Sequence, residues 1–314
     1  ITEKEQGSIP MTCYHFWKNN SNNIIHIGTA GGWSKPSTGF TFKNTTKKTS
    51  QLIDHLKENK PLPSFYKINI QNQKKQFWTD GFLLVENAIN DRQLENLKKT
   101  FLDWVNDSRN YKTDYGETMD GRPRFDLQPG HSSDVPGLRR IQSPEEISEV
   151  FADVMRNGRS VDMCAELIGQ GIRFHHGKVN SKLPGTATKV NFHQDFPFEP
   201  MTNDDMITCL LFIDDVTLEN GPLEVVPGTH KGPLYSHWHN GTFTGSVSDE
   251  ILAEHEDKII RCTGKAGSVC LMHASLLHGS APNLSNKSRT LYISTYYAED
   301  AVELSPNHLP STLT

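Results

Sequence analysis

Residues 191–289 hold a His-x-Asp, a distant His-Gly-Ser and an arginine, in that order. They read Phe192-His193-Gln194-Asp195, then Leu277-His278-Gly279-Ser280, then Arg289. Two imidazoles and one carboxylate on one face of an iron ion make the facial triad of non-haem Fe(II) oxygenases, a ligand set that leaves positions open. Arg289 is a planar cation suited to two-point contact with a carboxylate co-substrate beside that metal. Ser280, two residues past His278, can add a hydroxyl to the same carboxylate. On a strand, His193 and Asp195 would share a face while Gln194 points away.

The tripeptide alone carries little weight. With 14 histidines in 314 residues, roughly one His-x-Asp arises by chance. A His₂-carboxylate set also suits a zinc hydrolase, and the placement of Arg289 and Ser280 favours the oxygenase. Other histidines compete for the ligand role. His273 falls inside a strand rather than at the His-Gly-Ser turn. His230 belongs to a Pro-Gly-Thr-His turn that shapes a loop. His175 and His176 are adjacent, so on a regular strand they face opposite ways. Arg139, Arg140, His237 and His239 fall in loops near the mouth and are candidate substrate contacts.

The elements that must position these groups follow from periodicity. Residues 73–77 begin a short helix that leads into the strand Phe82-Leu83-Leu84-Val85. Asn90-Asp91 caps a helix whose Leu94, Leu97, Phe101 and Trp104 share one apolar face. The Gly-, Pro-, Asp- and Arg-rich stretch 108–136 reads as a long loop. Residues 144–169 read as helix, with Ile147, Val150, Phe151 and Val154 on one side. From Gly171 the pattern changes to short strands broken by turns, at 172–176, 189–193, 206–213, 221–226, 268–272 and 290–297. Such spacing predicts a β-sandwich or jelly roll. Upstream, Ile24-Ile25-His26-Ile27 reads as a strand, Gly28-Thr29-Ala30-Gly31-Gly32 as a turn, and 37–56 as a helix.

Composition bounds the partners. The net charge of −5 offers no electrostatic footprint for nucleic acid. No run approaches the ~18 apolar residues of a membrane helix, and nothing at the start resembles a signal peptide. The five cysteines are odd in number and form no C-x-x-C pair, which suits reduced thiols in a cytoplasmic protein. The chain starts at Ile1 rather than Met, as a fragment or processed product would.

Residues 73–305 resemble the phytanoyl-CoA dioxygenase family of Fe(II)/2-oxoglutarate-dependent oxygenases. The resemblance rests on Gln76-Phe77-Trp78-Thr79-Asp80-Gly81-Phe82, His193-Gln194-Asp195 and Asn220-Gly221-Pro222-Leu223, in that order. Val226-Pro227-Gly228-Thr229-His230-Lys231, Leu276-Leu277-His278-Gly279-Ser280 and Arg289 complete it. It implies a mainly β chain with flanking helices and a double-stranded β-helix (jelly roll) core. It also implies iron ligands His193, Asp195 and His278, and 2-oxoglutarate bound by Arg289 and Ser280. Lys178 matches a position that contacts the co-substrate in many members. Phe192 stands where a Trp is common. Asp195 is intact, which argues against the halogenating relatives.

Residues 1–65 resemble a different family, the C-terminal tail of flavin-dependent lycopene cyclases. The run Ser8-Ile9-Pro10-Met11, His26-Ile27-Gly28-Thr29-Ala30-Gly31-Gly32-Trp33, Lys35-Pro36-Ser37-Thr38-Gly39-Phe40-Thr41-Phe42 and Asn44-Thr45 carries it. In that family the glycine turn lies against FAD, as backbone N–H groups at a helix start allow. The fingerprint G-x-G-x-x-G is not found, since Gly169-Gln170-Gly171 lacks the third glycine. FAD binding is therefore not expected, and a small α/β fragment (1–66), fused or chimeric, precedes a dioxygenase domain (67–314).

The resulting expectation is a hydroxylase of a small-molecule C–H bond that uses Fe(II), 2-oxoglutarate and O₂ and releases succinate and CO₂. Its rivals are a flavoprotein fragment of carotenoid biosynthesis and a non-catalytic small-molecule binder.

Overall fold

The computed structural model describes residues 70–169, 171–185 and 189–304. Contacts divide the chain after Gln73, and the account below concerns the unit from Lys74 on. The strand, turn and helix expected at 24–56 lie outside the described residues.

Two antiparallel sheets face one another. The larger runs, in spatial order, β1 (Phe82–Val85), β12 (Val269–His273), β7 (Met206–Phe212), β14 (Arg289–Ala298), β5 (Ile172–Lys182), β4 (Leu138–Gln142), β3 (Pro123–Leu127) and β2 (Tyr115–Glu117). The smaller runs β11 (Ile260–Cys262), β8 (Leu223–Val225), β13 (His278–Ser280) and β6 (Val190–His193). A hairpin of β9 (Trp238–His239) and β10 (Thr242–Phe243) stands apart. This is the expected jelly roll.

Period-two alternation explains how one strand serves two cores. On β7, Ile207, Cys209 and Leu211 face outward into a cluster with Phe77, Leu97, Phe151, Val154, Met163 and Leu167. Leu210 and Phe212 face inward onto Leu223, Val225 and Cys262 of the smaller sheet. β14 divides likewise, Tyr292 and Tyr296 outward, Leu291 and Ile293 inward. Both faces of β7 are buried, so its sequence is an unbroken run rather than an alternation.

The helices cover the outer face: α1 (Ile70–Asp80), α2 (Asp91–Ser108), α3 (Glu149–Asn157) and α4 (Arg159–Ile168). The expected Asn90 cap is present as a reciprocal capping box with Gln93. Two readings need correction. The 144–169 helix is two helices, because Gly158, extended at φ −67° and ψ 154°, ends α3 and begins α4. A Cβ there would lie 2.4 Å from the Val154 carbonyl oxygen. Ile147 lies ahead of α3 and is exposed rather than on its apolar face. The 108–136 stretch is not all loop either: it contains β2 and β3, anchored by the stack of Tyr111, Tyr115 and Phe125.

Candidate active site

Register brings the histidines together. In the smaller sheet β13 pairs with β6 so that His278 stands directly across from His193, and the two rings are 4.2 Å apart. Asp195 lies just past the end of β6, in helical backbone that opens a short 3₁₀ turn. It therefore shares no strand face with His193, but the turn brings its carboxylate back. Asp195 Oδ1 is 3.4 Å from His193 Nε2 and 3.5 Å from His278 Nε2. The expected triad is thus assembled, with ligand atoms all within 4.8 Å of one another.

Hydrogen bonds behind the rings set their tautomers. His193 Nδ1 donates to the Asn191 carbonyl at 2.8 Å, and His278 Nδ1 donates to the Leu276 carbonyl at 2.9 Å. Each Nε2 therefore presents a lone pair inward, the arrangement that outer partners impose on metal-bound histidine. The Thr208 hydroxyl donates to Asp195 Oδ2 at 3.1 Å. Burial, with His193 beside it, pushes the His278 imidazole down to about 4. Burial alone would raise the Asp195 carboxyl, but His278, His193 and Lys178 outweigh it and hold it well below the usual carboxylate range. Two imidazoles and one carboxylate fit a divalent metal ion.

A cavity of about 460 Å³ opens between the sheets beside the triad, within the usual ~300–1,000 Å³ of small-molecule sites. Its far end is cationic. Arg289 begins β14 opposite Lys182 at the end of β5. Lys182 Nζ donates to Ser280 Oγ at 2.7 Å and to the Ala281 carbonyl. Arg289 Nη2 donates to the Gly221 carbonyl at 2.7 Å, while its Nε is buried with no acceptor among the described residues. Burial lowers the guanidinium to about 10, and burial with Arg289 nearby lowers the Lys182 ammonium to about 7. Two desolvated cations, a hydroxyl and an orphaned N–H form a socket for a carboxylate.

Of the site residues expected from sequence, His193, Asp195, His278, Ser280, Arg289 and Lys178 all line this one cavity. Lys182 was missed, as the strand read at 172–176 stops short of its true end, Lys182. Alternation along the full β5 would have put Lys178, Asn180 and Lys182 on one face. Glu199 and Thr208 carried no motif.

The paired histidines correct an expectation. A bulge on β5 falls at His175, between His176, which is opposite Thr295, and Phe174, which is opposite Tyr296. The bulge undoes the alternation, and both side chains meet Glu199, His175 Nε2 at 2.9 Å and His176 Nε2 at 3.3 Å. His273 is set apart as expected, packed against Trp78 and His230. Arg139 is held by Asp126 at 2.7 and 2.9 Å and Arg140 lines the cavity, but both lie on β4 rather than in a loop. His237 is buried and its Nε2 accepts from the Gln194 backbone N–H, bracing the turn after His193. His239 binds the Ser246 carbonyl.

Comparison with known proteins agrees with this geometry. The family profile described as phytanoyl-CoA dioxygenase (PhyH) matches residues 77–291, and that of lycopene cyclase protein matches residues 1–101. A probable alpha-ketoglutarate-dependent hypophosphite dioxygenase of Stutzerimonas stutzeri is 30% identical over 73% of this chain and 79% of its own length. The L-proline trans-4-hydroxylase of Streptomyces griseoviridis is 27% identical over 71% and 84%. The crystal structure of EctD from S. alaskensis with bound Fe superposes with a TM-score of 0.60, at 24% identity over 72% of this chain and 76% of that one.

Proposed function

The chain belongs to the phytanoyl-CoA dioxygenase family, and we propose that it is an Fe(II)- and 2-oxoglutarate-dependent oxygenase that hydroxylates a small molecule. The observation that carries the reading is the triad His193, Asp195 and His278 sharing a cavity with the Lys182–Ser280–Arg289 socket. When bound, Fe(II) with 2-oxoglutarate supplies the oxidising chemistry: one oxygen atom of O₂ enters a C–H bond, the other enters succinate, and CO₂ leaves.

The chain's own residues bind, orient and exclude water. His193, Asp195 and His278 would hold the metal through two fixed Nε2 atoms and one carboxylate, with Thr208 fixing the other carboxylate oxygen. Arg289, Lys182 and Ser280 would hold the remote carboxylate of 2-oxoglutarate, its charge answering two buried cations. Leu210, Leu223, Met272, Leu291 and Ile293 supply the apolar walls. Relatives named for hypophosphite, L-proline and ectoine support a small polar substrate rather than a macromolecule.

We keep residues 1–66 as a lycopene-cyclase-like fragment and 67–314 as the oxygenase domain, a division supported by the contact boundary after Gln73. The cyclase match overlaps the oxygenase match over residues 77–101, and the Gly-rich fingerprint for FAD is not found in the sequence. Among the described residues no helix is long and apolar enough to cross a membrane. Cys164, Cys209, Cys262 and Cys270 are free and buried, which supports a reducing, cytoplasmic setting.

The test is turnover of 2-oxoglutarate. CO₂ release from 1-labelled 2-oxoglutarate should require added Fe(II) and fall to background in Asp195→Ala. Release that survives this substitution would remove the triad from the reaction.

A further inference from the structure

A second group of donors matches the triad in kind. Among the described residues, two sets of three ligating side chains bring their ligand atoms within 4.8 Å of one another. One is His193, Asp195 and His278. The other is His175, His176 and Glu199, again two imidazoles and one carboxylate, and it shares no residue with the first. The β5 bulge assembles it, undoing the alternation that would send His175 and His176 to opposite faces. Both Nε2 atoms meet one oxygen, Glu199 Oε2, His175 at 2.9 Å and His176 at 3.3 Å. Glu199 ends the 3₁₀ turn Phe196–Phe198 that Asp195 begins. One short turn therefore carries a carboxylate to each set.

Spacing and surroundings suit a cation. Donors on a tetrahedral Zn²⁺, each about 2.0–2.2 Å from the metal, stand about 3.3–3.6 Å apart. His176 is already at that distance from Glu199, and a small ring rotation brings His175 to it. Without a metal, two imidazoles share one carboxylate oxygen by each presenting a proton to it. A divalent cation takes the place of both protons. Glu303 Oε1 lies 4.0 Å from Nδ1 on the other side of the His175 ring, where a carboxylate strengthens a histidine ligand. An entry path exists as well. The side chains of His176 and Glu199 are each 27% exposed, and both line the cavity.

We propose that His175, His176 and Glu199 bind a second divalent cation, Zn²⁺ by donor type, that ties the β5 bulge to the turn carrying Asp195. The proposal does not rest on the oxygenase reading, since the two sets have no donor in common. The second ion holds the turn at its Glu199 end, as the triad's metal would hold it at Asp195.

The test is Zn²⁺ binding to the full chain, counted by equilibrium dialysis with metal analysis. Zn²⁺ also suits the triad, so His193→Ala is used to remove that contribution. Glu199→Gln and His193→Ala should each bind one ion fewer than wild type, and the double variant two fewer. His176→Asn should repeat the loss seen in Glu199→Gln, so that a folding failure in one leaves the other to decide. Added Zn²⁺ should raise the melting temperature of His193→Ala, and raise it less in the double variant. An equal count in wild type and folded Glu199→Gln would overturn the site. A double variant that binds as many ions as His193→Ala would also overturn it and hand the carboxylate to the triad. So would a loss in Glu199→Gln that folded His176→Asn does not show. An equal rise in melting temperature with and without Glu199 would overturn the tie between strand and turn.

Discussion

Arg289 and Lys182 illustrate how much one buried charge depends on its intended partner. Each is buried at one end of the cavity, and Arg289 Nε has no acceptor among the described residues. Arg289→Gln should raise the 2-oxoglutarate KM roughly tenfold to a hundredfold, the loss of a charged hydrogen bond. Ser280→Ala should cost less, about twofold to tenfold, the worth of a neutral one. Steady-state kinetics with varied 2-oxoglutarate checks both. Lys182 adds a pH signature. Its pKa is lowered to about 7 and the charged form binds the carboxylate, so affinity for 2-oxoglutarate should fall as pH rises through about 7. Lys182→Met should flatten that dependence; a wild-type affinity that rises with pH would contradict the role. At this scale the sequence was legible where motif and order coincide, as at His193, Asp195, His278, Ser280 and Arg289. Lys182, Glu199 and Thr208 were not legible, because only the true length of β5 and the pairing of distant strands bring them to the cavity.

Elements decide which side chains can meet. The bulge at His175 turns two neighbours that should diverge into partners of one carboxylate, and no single-sequence pattern announces an extra residue in a strand. Gly158 breaks 144–169 into two helices, a break that a helix-period reading passes over because both halves keep an apolar face. The Asn90 cap was legible, since a cap acts through residues three apart. Its side chain accepts from the Gln93 backbone N–H at 2.9 Å. Asn90→Ala should therefore cost about 1 kcal/mol, a fall of about 2–4 °C in Tm for a domain of this size, read by thermal unfolding. Gly81 is more demanding. At φ +84°, an added Cβ would fall 2.4 Å from His230 Nδ1, so Gly81→Ala should destabilise by about 1–3 kcal/mol through strain and crowding. An unchanged melting temperature would show that the α1–β1 turn relaxes freely.

At the scale of the molecule, the triad, its Thr208 partner and the cationic socket lie between Lys182 and Arg289, on five strands and one turn. The jelly roll was legible as six of its inner strands, and β2, β3 and β4 were lost among Gly, Pro and charge because they extend the sheet beyond its apolar centre. Because no residue of 1–66 is assigned to the triad or the socket, removing that segment should leave 2-oxoglutarate turnover within about twofold; its disappearance would give that segment a part in the site. The central claim, that the triad and the cationic socket act together on one metal-bound 2-oxoglutarate, is tested most directly by anaerobic titration of Fe(II) into protein with 2-oxoglutarate. A visible metal-to-ligand charge-transfer band should appear in the wild type and vanish in His193→Ala. No band in folded protein that binds iron would contradict the account.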